Sequence, residues 1–194
     1  HRLLWDVKET ESLFEITSYI SNKKRKDLAK RSLEYFVENI KEPLKKLRSQ
    51  VIHNDMNPDN VLVRQNAPKK VSGMIDFGDM VFAPLVNDLA VAASYQTVEQ
   101  QNLLTGTCYL LGGYQTAYPL TADEIALLPS LVVNRIAMSL IIAEWRATTH
   151  PENKEYILGS IEKTWSVFKQ VRQEQPNEIA NQLTKFLNKS EDKL

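Results

Sequence analysis

Apolar residues recur at helical intervals along most of this chain, and the period shortens to a strand-like one in a single central stretch. Before that stretch, Leu13, Ile16, Tyr19 and Ile20, then Leu28, Leu33, Phe36, Val37 and Ile40, predict two helices between Glu11 and Gln50. The basic run Lys23 to Lys26 reads as a solvated turn between them. Pro43 marks a break or the first turn of a short extra helix, Leu44 to Arg48. The runs Val61-Leu62-Val63 and Val71 to Ile75, around the turn-forming Asn66-Ala67-Pro68, predict a β-hairpin.

Helical periodicity then resumes. Pro84 is placed to open a helix whose apolar face carries Val86, Leu89, Ala90 and Ala93. Glu99 to Tyr118 reads as a further helix, bent at Gly112-Gly113. Thr121 to Glu124 has the form of a capping box opening a long helix to about Thr148. Thr149-His150-Pro151-Glu152 repeats that form and starts a helix running from Glu152 to Gln173. An amphipathic segment, Ile179 to Leu187, precedes a charged tail, Lys189 to Lys193. The expectation is an α+β chain, mostly α, forming a single domain over residues 1–194.

Composition narrows the function classes. Twenty-four basic and 24 acidic residues leave a formal charge of zero, so no basic field invites nucleic acid or an anionic membrane. One cysteine, Cys108, excludes an internal disulfide, and three scattered histidines give no zinc spacing. The apolar stretch from Ser130 to Trp145 is interrupted by Asn134, Arg135 and Glu144, which argues against a membrane span. A cytoplasmic setting is expected. The chain opens at His1 without a methionine, which predicts a fragment of a longer protein.

The chemistry sits in loops at the ends of the hairpin: His53-Asn54-Asp55-Met56-Asn57-Pro58-Asp59-Asn60 before it, and Asp76-Phe77-Gly78-Asp79 after it. In the kinase layout, H-x-D-x-x-x-x-N is followed by a strand pair and D-F-G, and His53, Asp55, Asn60 and Asp76-Phe77-Gly78 fall on that spacing. Asp55 is then the group that aims the attacking hydroxyl and takes its proton, while Asn60 and Asp76 are the hard-oxygen ligands of Mg²⁺ on the phosphates of ATP. His53 reads as a brace for the loop, Asp79 as a supporting acid or a turn residue, and Asp59 as solvated. Asp88, among apolar neighbours on a helix, needs hydrogen-bond donors. In Arg135 to Arg146, an acid beside an aromatic would suit a cationic amine through charge and cation–π contact, which nominates Arg135, Glu144 and Trp145 as substrate contacts. A polar helix face with a core tryptophan explains the same residues equally well.

HNDMNPDN followed by IDFGD and then Asn87-Asp88-Leu89-Ala90 resembles the aminoglycoside phosphotransferase and choline kinase-like superfamily. The longer string IDFGDMVFAPLVNDLAVAASY is most similar to its hydroxylysine kinase-like branch, relatives of which are also found fused to aminotransferase-like domains. Asn54 stands where that superfamily usually has glycine. The resemblance implies the C-terminal lobe of a protein-kinase-like fold, acting on the hydroxyl of a small amine, amino acid or aminosugar. It also implies that Asp88 holds backbone amides of the catalytic loop, and that Leu62 and Ile75 form the apolar floor of an adenine pocket.

The first glycine is Gly73, so no glycine-rich phosphate loop precedes the catalytic loop. The nucleotide-covering N-terminal lobe is therefore expected elsewhere in the polypeptide, and the isolated chain is expected to be inactive. The competing expectation is a non-catalytic kinase-like module that docks or regulates a fused enzyme. The retention of Asp55, Asn60 and Asp76 together argues against it.

Overall fold

The computed structural model describes residues 3–191; His1 and the last charged residues of the tail, 192–194, lie outside them. The architecture is α+β: eight α-helices carry the core, and two small antiparallel ribbons, each of two strands, sit at one side.

A 3₁₀ helix, Val7–Tyr19, opens the fold with the Asp6 side chain accepting the Lys8 amide. Helix α1, Lys23–Tyr35, is capped by Asn22, whose side chain accepts the Arg25 amide at 3.2 Å. The basic run is thus the first turn of a helix rather than a linker, because the Asn22 cap outweighs the unfavourable pairing of cations with a helix N-terminus. A π turn over Phe36–Ile40 then leads into α2, Lys41–Leu44. Pro43 lies inside this helix. It has no N–H for the carbonyl four residues back, and the wider turn before it makes room for its ring. The expected helix from Leu44 to Arg48 is absent.

Strand β1, Ser49–Ile52, pairs antiparallel with β4, Val81–Pro84; β2, Val61–Arg64, pairs with β3, Ala67–Met74. The hairpin turn is Gln65-Asn66, so Ala67 and Pro68 already belong to β3. Pro84 closes a strand instead of opening a helix, its missing donor tolerated at a strand end.

Helix α3, Val86–Gln100, ends at left-handed Gln101 (φ 53°), and Asn102 caps α4, Leu103–Ala117, by accepting the Thr105 amide at 2.8 Å. Glu99 therefore belongs to α3, and α4 runs unbroken through Gly112-Gly113. The glycine that matters here is Gly106. A Cβ on it would lie 2.5 Å from the Thr97 backbone nitrogen, so its bareness lets α3 and α4 cross closely.

Helix α5, Ala122–Thr149, starts from the expected capping box: Thr121 and Glu124 exchange side-chain and backbone bonds. Glu124 is fully buried and also takes Arg48 Nε at 3.0 Å and Nη2 at 2.6 Å. By composition α5 is long and apolar enough to cross a membrane, but 78% of its most apolar window is buried within the fold. It is the central core helix, packed by α3, α8 and the first 3₁₀ helix. After it come a 3₁₀ turn, Pro151–Asn153, then α6, Lys154–Leu158, α7, Ile161–Val171, and α8, Pro176–Glu191. Thr149 is no cap. It lies inside α5 with its hydroxyl donating to the Trp145 carbonyl at 3.1 Å, and the following helix is interrupted at Gly159-Ser160.

Apolar side chains of the strands and D-F-G loop stay uncovered, from Ile75 at 43% exposed to Phe82 at 65%, with Leu62, Val71, Met74 and Phe77 between.

The Gly106 crossing has a built-in control, since a Cβ on Gly113 in the same helix meets nothing within 4 Å. Gly106→Ala should lower stability by about 1–3 kcal/mol through overpacking, whereas Gly113→Ala should raise it by about 0.5–1 kcal/mol through helix propensity. Thermal melts of the two variants check this; equal shifts would mean that the crossing is not tight.

Candidate active site

His53 and Asn54 leave β1 in a loop with no regular hydrogen bonding of its own, so the loop is held by groups around it. The buried His53 imidazole receives the Asp55 amide at Nδ1 (3.3 Å), which leaves the proton on Nε2 to donate to the Ile75 carbonyl at 2.9 Å. Its ring also packs on Phe77, with centroids 4.9 Å apart. Ile75 returns its own amide to the Asn60 carbonyl at 3.1 Å. The two acidic loops are thereby stitched together across the open end of the hairpin.

Asn54 is fully buried with φ 65°, a conformation that glycine and asparagine tolerate best, and its amide donates to Asp88 Oδ1 at 2.8 Å. Burial pushes the Asp88 carboxyl above its ordinary range, and the Asn54 amide and nearby His53 pull it back. Asp88 begins α3 and reaches the loop because β4 delivers that helix beside β1.

Asp55 is held from two sides. Its Oδ2 accepts Asn57 Nδ2 and Asn60 Nδ2, each at 3.0 Å, and its Oδ1 faces Arg135 Nη2 at 3.9 Å. Asn57 also caps the turn Pro58–Asn60 by accepting the Asp59 and Asn60 amides. Asn60 is buried, and its amide nitrogen is fully engaged with the Asp55 carboxylate and carbonyl, so its side-chain oxygen is the free end. Asp76 is exposed and left-handed (φ 63°), an uncommon conformation for a non-glycine residue that occurs at functional sites. Gly78 leaves space beside its carboxylate. The half-buried Asp79 carboxyl is pushed up by burial and then by the charges of Asp55 and Asp76, while Arg135 opposes the rise. Among the described residues, no group of three or more His, Cys, Asp or Glu side chains is arranged to hold a metal ion. The free oxygens of Asn60 and Asp76 are hard donors of the kind Mg²⁺ takes when other oxygens complete its shell.

Arg135 is not open to a ligand from solvent. It is 1% exposed, donates Nη1 to the Trp5 carbonyl at 3.0 Å and lies over the Trp5 ring at 4.7 Å. Burial pushes the guanidinium below its ordinary value, and Tyr95, Asp55 and Asp79 oppose that. Its place is behind Asp55. Glu144 and Trp145 lie elsewhere: Glu144 accepts the Trp165 indole N–H at 3.2 Å, and Trp145 packs on the core. The cation at that aromatic–acid cluster is the protein's own Arg25, stacked on Trp165 at 5.3 Å and paired with Glu162. Leu62 in β2 and Ile75 just past β3 are both exposed.

Trp5, Asn57 and Tyr95 were not expected here. The Tyr95 phenol on α3 lies close enough to Arg135 and Asp55 to feel both charges, and burial pushes its pKa up. Trp5 contributes a carbonyl that serves both Arg135 and the Asn54 side chain.

The sequence profile of the phosphotransferase enzyme family matches residues 6–120, which hold both acidic loops and helix α3. The chain belongs to that family. Among its relatives, hydroxylysine kinase of Mus musculus is 28% identical over 174 residues, covering 87% of this chain and 46% of that protein. Hydroxylysine kinase of Xenopus laevis is 27% identical over 171 residues, covering 84% and 46%. Homoserine kinase of Chelativorans sp. (strain BNC1) is 41% identical over 90 residues, covering 45% of this chain and 27% of its own length. The chain thus spans about half the length of the hydroxylysine kinases it matches.

Asp88 gives a direct test of how the phosphotransferase loop is held. Asp88→Ala should destabilise the fold by about 1–3 kcal/mol, because the buried Asn54 amide loses its acceptor, and it should lower activity in the full-length protein. Unchanged melting together with unchanged turnover would show that the loop does not depend on this bond.

Proposed function

We propose that this chain is the C-terminal, substrate-binding lobe of an ATP-dependent kinase that phosphorylates the hydroxyl of a small amine or amino acid, with hydroxylated amino acids the favoured acceptors. The observation that carries this reading is the stitch between the two loops, His53 to the Ile75 carbonyl and Ile75 to the Asn60 carbonyl, which gathers Asp55, Asn60 and Asp76 at one end of the hairpin. The acceptor class follows the relatives, whose names specify hydroxylysine and homoserine, two amino acids with a side-chain hydroxyl.

Asp55 is a weak base toward an alcohol, so its contribution is to aim the hydroxyl and receive the proton late. Its Oδ2 is occupied by two amides, and the acceptor hydroxyl therefore approaches Oδ1. Arg135 stands behind that oxygen and helps to fix the carboxylate's position. Asn60 and Asp76 would hold Mg²⁺, which when bound neutralises phosphate charge. Leu62 and Ile75 supply an apolar floor for the base of the nucleotide. The roof and the phosphate-covering loop belong to an N-terminal lobe of the same polypeptide, and a cytoplasmic setting, where ATP is at hand, goes with this role.

ADP release by the full-length protein across amines, amino acids and aminosugars tests the reading. Release is expected with L-homoserine or 5-hydroxylysine, and a flat response across the panel would overturn it. In the responding enzyme, Asp76→Asn should abolish turnover and raise the metal requirement in a Mg²⁺ or Mn²⁺ titration, because a charged oxygen ligand is lost; an unchanged metal dependence would remove Asp76 from that role.

The 194-residue chain alone should fold but release no ADP. It should bind Mg-ATP only weakly, since an adenine on an uncovered floor keeps much of its surface in water. Calorimetry reads this directly, and micromolar affinity would show that the described lobe grips nucleotide by itself.

A further inference from the structure

Between α1, α5 and the connection from α7 to α8 lies a cavity of about 220 Å³, on a different face of α5 from Arg135. Its lining includes polar groups without partners. Asn134 is 3% exposed, and its Oδ1 accepts no hydrogen bond, although its Nδ2 donates to Thr10 Oγ1 at 2.9 Å. The Nε of Arg172 is buried without an acceptor, and the charged neighbour this guanidinium feels is Arg31, of like sign. Burial pushes up the carboxyl of Glu174, which also lines the cavity. The hydroxyls of Ser32 and Ser130, both residues over nine-tenths buried, line the same space. Buried polar groups are almost always satisfied. A buried acceptor and a buried guanidinium N–H without partners at one cavity call for an occupant that brings both a donor and an acceptor.

We propose that this cavity is a second small-molecule site, separate from the phosphotransfer centre, that takes a free α-amino acid with a small apolar side chain. The carboxylate lies against Arg172, the ammonium against Asn134 Oδ1 and Glu174, and the side chain against Leu103, Val133 and Val171. The volume far exceeds the roughly 30 Å³ share of one water. Thr10 ties Asn134 and Trp5 ties Arg135, so one N-terminal segment touches both faces of α5.

Calorimetric titration of the full-length protein with L-valine tests this without turnover. L-valine has no hydroxyl to phosphorylate, and the Arg172→Met variant separates binding in this cavity from binding at the acceptor site, so the outcome is independent of the kinase assignment. Saturable binding is expected, at least tenfold weaker for isobutylamine and for isovalerate, each of which lacks one charge. Arg172→Met should weaken it at least tenfold while leaving the melting temperature near that of the wild type, and Ser130→Leu, which fills the cavity, should abolish it. No saturable heat up to 10 mM L-valine, or equal affinity in wild type and Arg172→Met, would overturn the proposal and leave the cavity to ordered water.

Discussion

One imidazole fixes the geometry on which the rest of the site depends. His53 can accept the Asp55 amide at Nδ1 and donate to the Ile75 carbonyl at Nε2 only as a single neutral tautomer, so the same ring that shapes the first acidic loop also anchors the second. Burial against Phe77 keeps water from competing for either bond. Asp88 completes the constraint by holding Asn54 in a left-handed conformation that the loop would not keep unaided. The hairpin sets how far apart the loops begin; these bonds set where Asp55, Asn60 and Asp76 end up.

Features encoded over a few residues were readable in the sequence. The Thr121–Glu124 capping box is a local exchange of two bonds, and it stands as expected. The hairpin follows from two β-branched runs, but its turn is Gln65-Asn66 and its second strand runs from Ala67 to Met74 instead of from Val71 to Ile75. Features decided by packing were not readable. Nothing local announces that α3 ends at Gln101, and the bareness of Gly106 has meaning only against the Thr97 backbone of a neighbouring helix. The cap at Asn22 overruled a reading of Lys23 to Lys26 based on charge alone.

The site shows the same division. Grouping Glu144 and Trp145 with Arg135 treated one helix as one surface, yet nine residues are about two and a half turns and place Glu144 on the opposite face. The same arithmetic would have found Tyr95. It is seven residues, about two turns, from Asp88, so the two share a face of α3 and both reach the catalytic loop. Trp5 left no comparable signal, because its contribution is a backbone carbonyl and any residue type carries one.

Charge decides how such a site can stay folded. Asp55, Asp76 and Asp79 sit close enough that the first two raise the third, and the cation facing them is Arg135, which burial itself disfavours. A guanidinium so enclosed persists because the Trp5 carbonyl, the Trp5 ring and Asp55 surround it, and removing any of these would strand a buried charge. One positive charge does not balance three carboxylates. Asp76 is the exposed member, the one that a divalent cation and its phosphates would meet in the proposed reaction. The inner half of the site thus sets its carboxylates against a cation built into the fold, and the outer half presents the carboxylate that its ligand would satisfy.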